Sequence, residues 1–105
     1  MSAVKRLEAI LAGGSDSASL RFALGSEYAK LADATRAIEH LRAAVALDPA
    51  FSAAWKLLGR TQADAGLTQD AIASYREGIR VATQRGDVQA AREMKVFLKR
   101  LQSAG

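Results

Sequence analysis

The sequence predicts an all-α fold of antiparallel helix-turn-helix units, and three observations carry that prediction. Apolar residues recur at three- and four-residue steps through most of the chain, the spacing that lines one face of a helix. The chain matches itself when shifted by 34 residues, enough for two helices and two turns. A lone proline and well-spaced glycines fall where such a period needs its helices to stop.

The 105 residues fit one domain, 1–105, with a single modest core. Half of them are apolar and a quarter charged, the balance of an ordinary globular protein and far from that of a disordered chain. The absence of cysteine excludes disulfides, thiolate metal sites and cysteine nucleophiles, and points to a reducing compartment. No asparagine is present, so no N-glycosylation sequon exists. The expected location is the cytoplasm.

Residues 1–14 form the first element. Val4, Leu7, Ile10 and Leu11 share a face of a short helix that could cover the first of the 34-residue units. Glu8 interrupts the apolar run, which continues into Gly13-Gly14, so the segment is a poor signal peptide. Gly13 to Ser17 reads as a hinge, with Asp16 or Ser17 capping a helix over about 18–31.

The 34-residue shift sets Leu24-Gly25 on Leu58-Gly59, Ala29 on Ala63, Ala37-Ile38 on Ala71-Ile72 and Arg42 on Arg76, with Ala32 opposite Gly66. It divides the chain into units 18–51 and 52–85. Small residues at Gly25, Ala29, Gly59 and Ala63 let a second helix approach closely, as do Ala37, Ala44, Ala71 and Gly78 on the second helix of each unit. The bulky partners include Leu24, Tyr28, Leu41, Leu47, Leu58 and Tyr75. Asp33 should cap a helix over about 34–47, and Thr68 one over about 69–83. Asp48-Pro49 forces a break, because proline lacks the amide donor and disfavours helix in the residue before it. The next helix is expected over about 52–65, with Gly66 as its left-handed stop.

These residues resemble the tetratricopeptide repeat. The second unit supplies Trp55, Leu58, Gly59, Ala71 and Tyr75 of the pattern W-x2-L-G-x2-Y…A-x3-F…P, and the first supplies Leu24, Gly25, Tyr28, Ala37, Leu41 and Pro49. Arg21, Gln62 and Thr83 depart from it. The resemblance covers about residues 18–85 and implies a short right-handed superhelix whose concave groove is lined by the first helix of each unit. The groove residues so implied are Phe22, Ser26, Lys30, Lys56, Arg60 and Asp64. Some relatives grip a chaperone's C-terminal carboxylate with a Lys/Asn/Arg clamp. Here Phe22, Ser26, Leu57, Asp87 and Ala91 stand in those places, so that mechanism is not expected.

Two such units leave apolar faces at both ends. Residues 87–102 supply a one-sided helix with Ala90, Ala91, Met94, Phe97, Leu98 and Leu101 in one sector, as a terminal capping helix would. Arg85-Gly86-Asp87 before it reads as a turn and a cap.

Charge is unevenly placed: of the net +4, residues 85–105 carry +3, from five basic and two acidic side chains. Arg92, Lys95, Lys99 and Arg100 therefore form a candidate basic surface, set against the plainer reading of a solvated outer face without aromatic residues for base stacking. Lys56 and Arg60 repel at i, i+4, a small cost that suits an acidic peptide; alternatively Arg60 pairs with Asp64 and Lys56 is merely solvated. His40, the lone histidine, has no metal-ligand company and reads as structural. No catalytic constellation, metal site or cofactor motif is present.

The function expected is a non-enzymatic protein-protein interaction module, an adaptor or scaffold that binds a partner's peptide or helix in its groove. The alternatives are self-association as a homodimer, aided by Val88 and Val96, and contact with nucleic acid or an anionic surface through the basic C-terminal helix.

Overall fold

A computed structural model describes residues 2–104, so Met1 and Gly105, the outermost residues of the predicted domain, lie outside the described residues. Among the described residues there are six α-helices and no strand: α1 (Ala3–Ala12), α2 (Ala18–Lys30), α3 (Ala34–Leu47), α4 (Ser52–Asp64), α5 (Thr68–Arg85) and α6 (Val88–Ala104). Helix α2 pairs with α3 and α4 with α5, and α3 packs on α4 to join the hairpins. Helix α1 packs on α2 at one end, and α6 on α5 and α4 at the other.

Small-into-large packing holds each hairpin closed. A Cβ on Gly25 would fall 2.5 Å from Leu41 Cγ, and one on Gly59 would fall 2.7 Å from Tyr75 Cε1, so α2 and α4 present bare backbone where a bulky side chain of α3 or α5 lies. Gly78 of α5 does the same for its neighbours, with Met94 Sδ at 2.5 Å and Trp55 Cβ at 2.8 Å from the missing Cβ. Leu24, Leu41 and Met94 are fully buried.

One turn geometry occurs three times. Ala32, Gly66 and Gly86 take left-handed φ values of 58°, 81° and 75°. In each case the next residue's amide donates to the carbonyl five back: Asp33 to Tyr28, Leu67 to Gln62 and Asp87 to Ala82. A new helix then starts at once. Asp33 and Asp87 also cap it, accepting from the amides of Arg36 at 3.1 Å and Ala90 at 3.2 Å. Thr68 is not the cap expected for α5. The repeated turn starts the helix at Thr68 itself and leaves Leu67 at the cap position, with no side-chain bond.

The connection from α3 to α4 is different, running through Asp48 and Pro49 with Trp55 Nε1 donating to the Pro49 carbonyl at 2.8 Å. Thr83 stands where a second proline would fall, and α5 runs on to Arg85. Helix α6 is thus attached by the tight turn that elsewhere closes a hairpin, which breaks the 34-residue register and turns Met94 inward. Ser52 donates to Asp87 at 3.1 Å, and Arg85 to the Ala50 carbonyl at 2.8 Å, tying this junction to the start of α4.

At the other end Val4, Leu7 and Leu11 pack against the first core cluster, while Ile10, expected on the same face, is 50% exposed. Leu47, expected among the packing residues, is exposed as well, at the last turn of α3. Helix α1 is held in addition by Glu8, which accepts from the Tyr28 hydroxyl at 2.9 Å and lies 3.5 Å from His40 Nε2. His40 is buried, its ring stacked on Tyr28, and Arg21 reaches both its Nδ1 and the Asp16 carboxylate. That accounts for the residue occupying the usual tryptophan position. Gln62, in place of the usual tyrosine, is buried and accepts from the Ser74 hydroxyl at 2.5 Å.

Candidate interaction site

The inner face is built on α2, α4 and α6, which run in the same direction because each is followed or preceded by an antiparallel partner. Between α2 and α4, the N-terminal side is closed by Phe22, whose ring lies 4.9 Å from that of Phe51. Phe22 is half-buried there and packs on the core. Further along, Ser26 and Lys30 of α2 face Arg60 and Asp64 of α4 across a cleft of about 320 Å³ with Leu57 in its wall. Lys30 pairs with Glu27 of its own helix at 3.3 Å.

Between α4 and α6 the same plan is repeated. The N-terminal ends are joined by the Ser52–Asp87 hydrogen bond and by an ion pair between Lys56 Nζ and Glu93 Oε2 at 3.3 Å. Beyond that strut the helices leave a cleft of about 580 Å³, with Tyr75, Phe97 and Leu101 in its lining and Arg60, Asp64 and Arg100 around them. Burial pushes the Tyr75 phenol up to about 12, with the Asp64 carboxylate adding to the shift and the Arg60 charge opposing it.

Of the six residues implied for the groove, four meet in one cleft: Ser26, Lys30, Arg60 and Asp64. Phe22 closes its end and Lys56 is held by Glu93. Arg60 and Asp64 line both clefts and so form the ridge between them. Neither side chain has an ion-pair or hydrogen-bond partner among the described residues, so the alternative in which they pair with each other is not what the structure shows.

The basic surface divides. Arg92 and Lys95 lie with exposed Val88 near the end of α5, and Lys99 lies with Val96 on the outer side. Arg100 lies between Lys99 and the α4–α6 cleft and reaches the inner face. The α6 share of that face, Glu93, Phe97, Arg100 and Leu101, is not among the residues the repeat pattern implies. The signal that could have found it is the alternation of helices: a sixth helix must run beside the fourth.

Among the described residues no group of three or more His, Cys, Asp or Glu is placed to hold a metal ion, and no helix is long and apolar enough to cross a membrane. The architecture is that of an all-helical repeat protein.

Comparison with known proteins specifies the repeat. Residues 18–51 match the family model for the tetratricopeptide repeat. The chain is 46% identical over 101 residues to a TPR repeat-containing protein of Pseudomonas aeruginosa, covering 96% of each. A solution structure of a protein from Bordetella parapertussis superposes with a TM-score of 0.85 at 42% identity, covering 99% of this chain and 90% of that one. The crystal structure of a tetratricopeptide repeat domain protein from Salinibacter ruber gives 0.79 at 27% identity, covering 86% of this chain and 100% of that one. This chain belongs to the tetratricopeptide repeat family, whose members generally mediate protein-protein interaction.

Proposed function

We propose that the protein is a cytoplasmic adaptor, not an enzyme, in which two repeats, 18–51 and 52–85, are flanked by α1 and α6 and receive a partner's peptide across the inner face. The observation that carries this reading is the ridge of Arg60 and Asp64 between two clefts, two ionic side chains with no ion-pair or hydrogen-bond partner among the described residues. Charged groups so placed contribute little to stability and are free to select a ligand. The clefts fall in the size range of side-chain and ligand pockets.

The exposed valines Val88 and Val96, at 62% and 44%, favour a second reading, self-association through α6. Against it, Arg92, Lys95 and Lys99 share that side of α6, and two like-charged faces repel.

Panning a random-peptide phage library on the immobilised full chain tests the adaptor reading. Enriched peptides should lose binding to Arg60→Glu and keep it with Lys99→Glu, the melting temperature being unchanged in both. Equal binding to all three proteins removes the inner face from consideration. Light scattering over a range of concentrations tests the second reading, which requires a dimer.

A further inference from the structure

We propose that the α4–α6 cleft is a specificity pocket for a bulky apolar side chain, phenylalanine or leucine, adjoined in the ligand by acidic residues that Arg60 and Arg100 bind. The proposal rests on the inner-face reading and adds to it the chemistry of the ligand.

The lining separates by character. Tyr75 and Phe97 present aromatic rings whose centroids are 5.8 Å apart, and Leu101 and Ala63 complete an apolar wall. Tyr75 is almost wholly buried, so it is fixed in place, while Phe97 and Leu101 are only partly covered and leave apolar surface open to the cleft. An entering side chain is desolvated against that surface, which favours an apolar group of matching size.

The charges stand on both sides of this wall. Arg60 comes from α4 and Arg100 from α6, and neither has a carboxylate partner or a hydrogen bond among the described residues. The one nearby acid of α6, Glu93, is taken by Lys56. Among the described residues Asp64 is the only side-chain carboxylate in the lining, so these side chains keep one positive charge in excess, with the two guanidinium groups on opposite walls of an apolar centre. A ligand with acids on either side of an apolar residue satisfies both arginines, whereas a basic one meets repulsion from two sides. By contrast the α2–α4 cleft holds Lys30, Arg60 and Asp64 with hydroxyls of Ser26 and Thr61 and has no aromatic wall. The two clefts therefore differ in what they accept, and the aromatic one sets the preference for an apolar residue.

The test is a titration of the full chain, monitored by 15N–1H NMR, with acetyl-Ala-Glu-Phe-Glu-Ala-amide, with its Lys-Phe-Lys counterpart and with its Glu-Ala-Glu counterpart. The acidic phenylalanine peptide should shift the amides of Ala63, Phe97 and Leu101. Both counterparts should bind at least about tenfold more weakly, the first through the loss of both charge-assisted contacts and the second through the loss of the buried ring. Arg100 is exposed and has no ion-pair or hydrogen-bond partner among the described residues, so Arg100→Glu leaves the helices intact and should weaken the acidic peptide by about tenfold. Lys99→Glu changes net charge equally but lies off the cleft, and should weaken it by less than about twofold.

Shifts at Ser26, Leu57 and Thr61 without shifts at Phe97 and Leu101 would overturn the pocket and leave the inner-face reading standing. Equal binding of all three peptides, equal effects of the Arg100 and Lys99 reversals, or no response to any peptide would also overturn it. The library panning decides the inner-face reading separately in each case.

Discussion

Lys56 of α4 reaches Glu93 of α6 at 3.3 Å, an ion pair across 37 residues of sequence that braces the mouth of the second cleft. A residue that stands out as a ligand-binding candidate on the inner face is thereby engaged within the molecule. Both side chains are more than one-third exposed, so solvent screens the pair. Lys56→Ala and Glu93→Ala should each lower stability by less than about 1 kcal/mol, with a coupling in the double-mutant cycle of about 0.2–1 kcal/mol. Urea denaturation of the four proteins measures it; a coupling of zero would contradict the role of the pair as a brace.

The close approach of the paired helices has a sharper cost. Leu41 is fully buried and has no room to retreat from a methyl group on Gly25, and Tyr75 is confined in the same way opposite Gly59. Alanine's better helix propensity, worth about 1 kcal/mol, offsets only part of an overpacking cost of about 1–3 kcal/mol. Gly25→Ala and Gly59→Ala should therefore destabilise the fold. Gly13→Ala, whose new Cβ would meet nothing closer than 3.4 Å, should not. Chemical denaturation of the three variants is the measurement.

Ala32 holds the left-handed conformation that Gly66 and Gly86 supply in the matching turns. A side chain in that region costs about 1–2 kcal/mol, and glycine gives back part of this through the freedom of the unfolded chain. Ala32→Gly should thus stabilise the protein by about 0.5–1 kcal/mol, and Gly66→Ala should destabilise it by a similar amount. Thermal unfolding reads both signs.

The tyrosines predict the alkaline limit of stability. Tyr75 ionises near 10 when unfolded and at about 12 when folded, because burial disfavours the phenolate. Tyr28 is shifted in the same direction by its bond to Glu8. A raised folded value means the unfolded chain loses its proton first. The stabilisation is complete below pH 10 and is lost as pH rises through about 12. Absorbance at the phenolate band should lag that of free tyrosine, and Tyr75→Phe should remove most of the lag. Asp16, held below the usual carboxylate range by Arg21, acts at the opposite end: its contribution is present above the ordinary aspartate value near 4 and is lost as pH falls through the lowered one.

What was legible in the sequence tracked the period. Gly66 is the left-handed stop expected of it, Asp33 caps α3 as expected, and of the two candidates Asp16 and Ser17 it is Ser17 that caps α2; that Ala32, opposite Gly66 in the period, shares its conformation is visible only in the structure. The bounds of α3, 34–47, follow from the Asp33 cap before it and the Asp48-Pro49 break after it. The period fails after Thr83, where no proline stops α5, and what depended on α6 was not legible. The partner of Lys56 and the position of Arg100 both require the rotation of a helix attached by a different turn. The cap at Thr68 failed because turn shape, not side-chain chemistry, fixes where α5 begins.

The central claim, that a partner lies across the inner face over the Arg60–Asp64 ridge, is tested most directly by mapping where a library-selected peptide touches the 15N-labelled full chain. The shifted amides should cluster on α2, α4 and α6 around Ser26, Arg60, Asp64 and Phe97, with α1 and the outward side of α3 unmoved. A footprint confined to Val88, Arg92 and Lys95 on the outer side of α6 would contradict it.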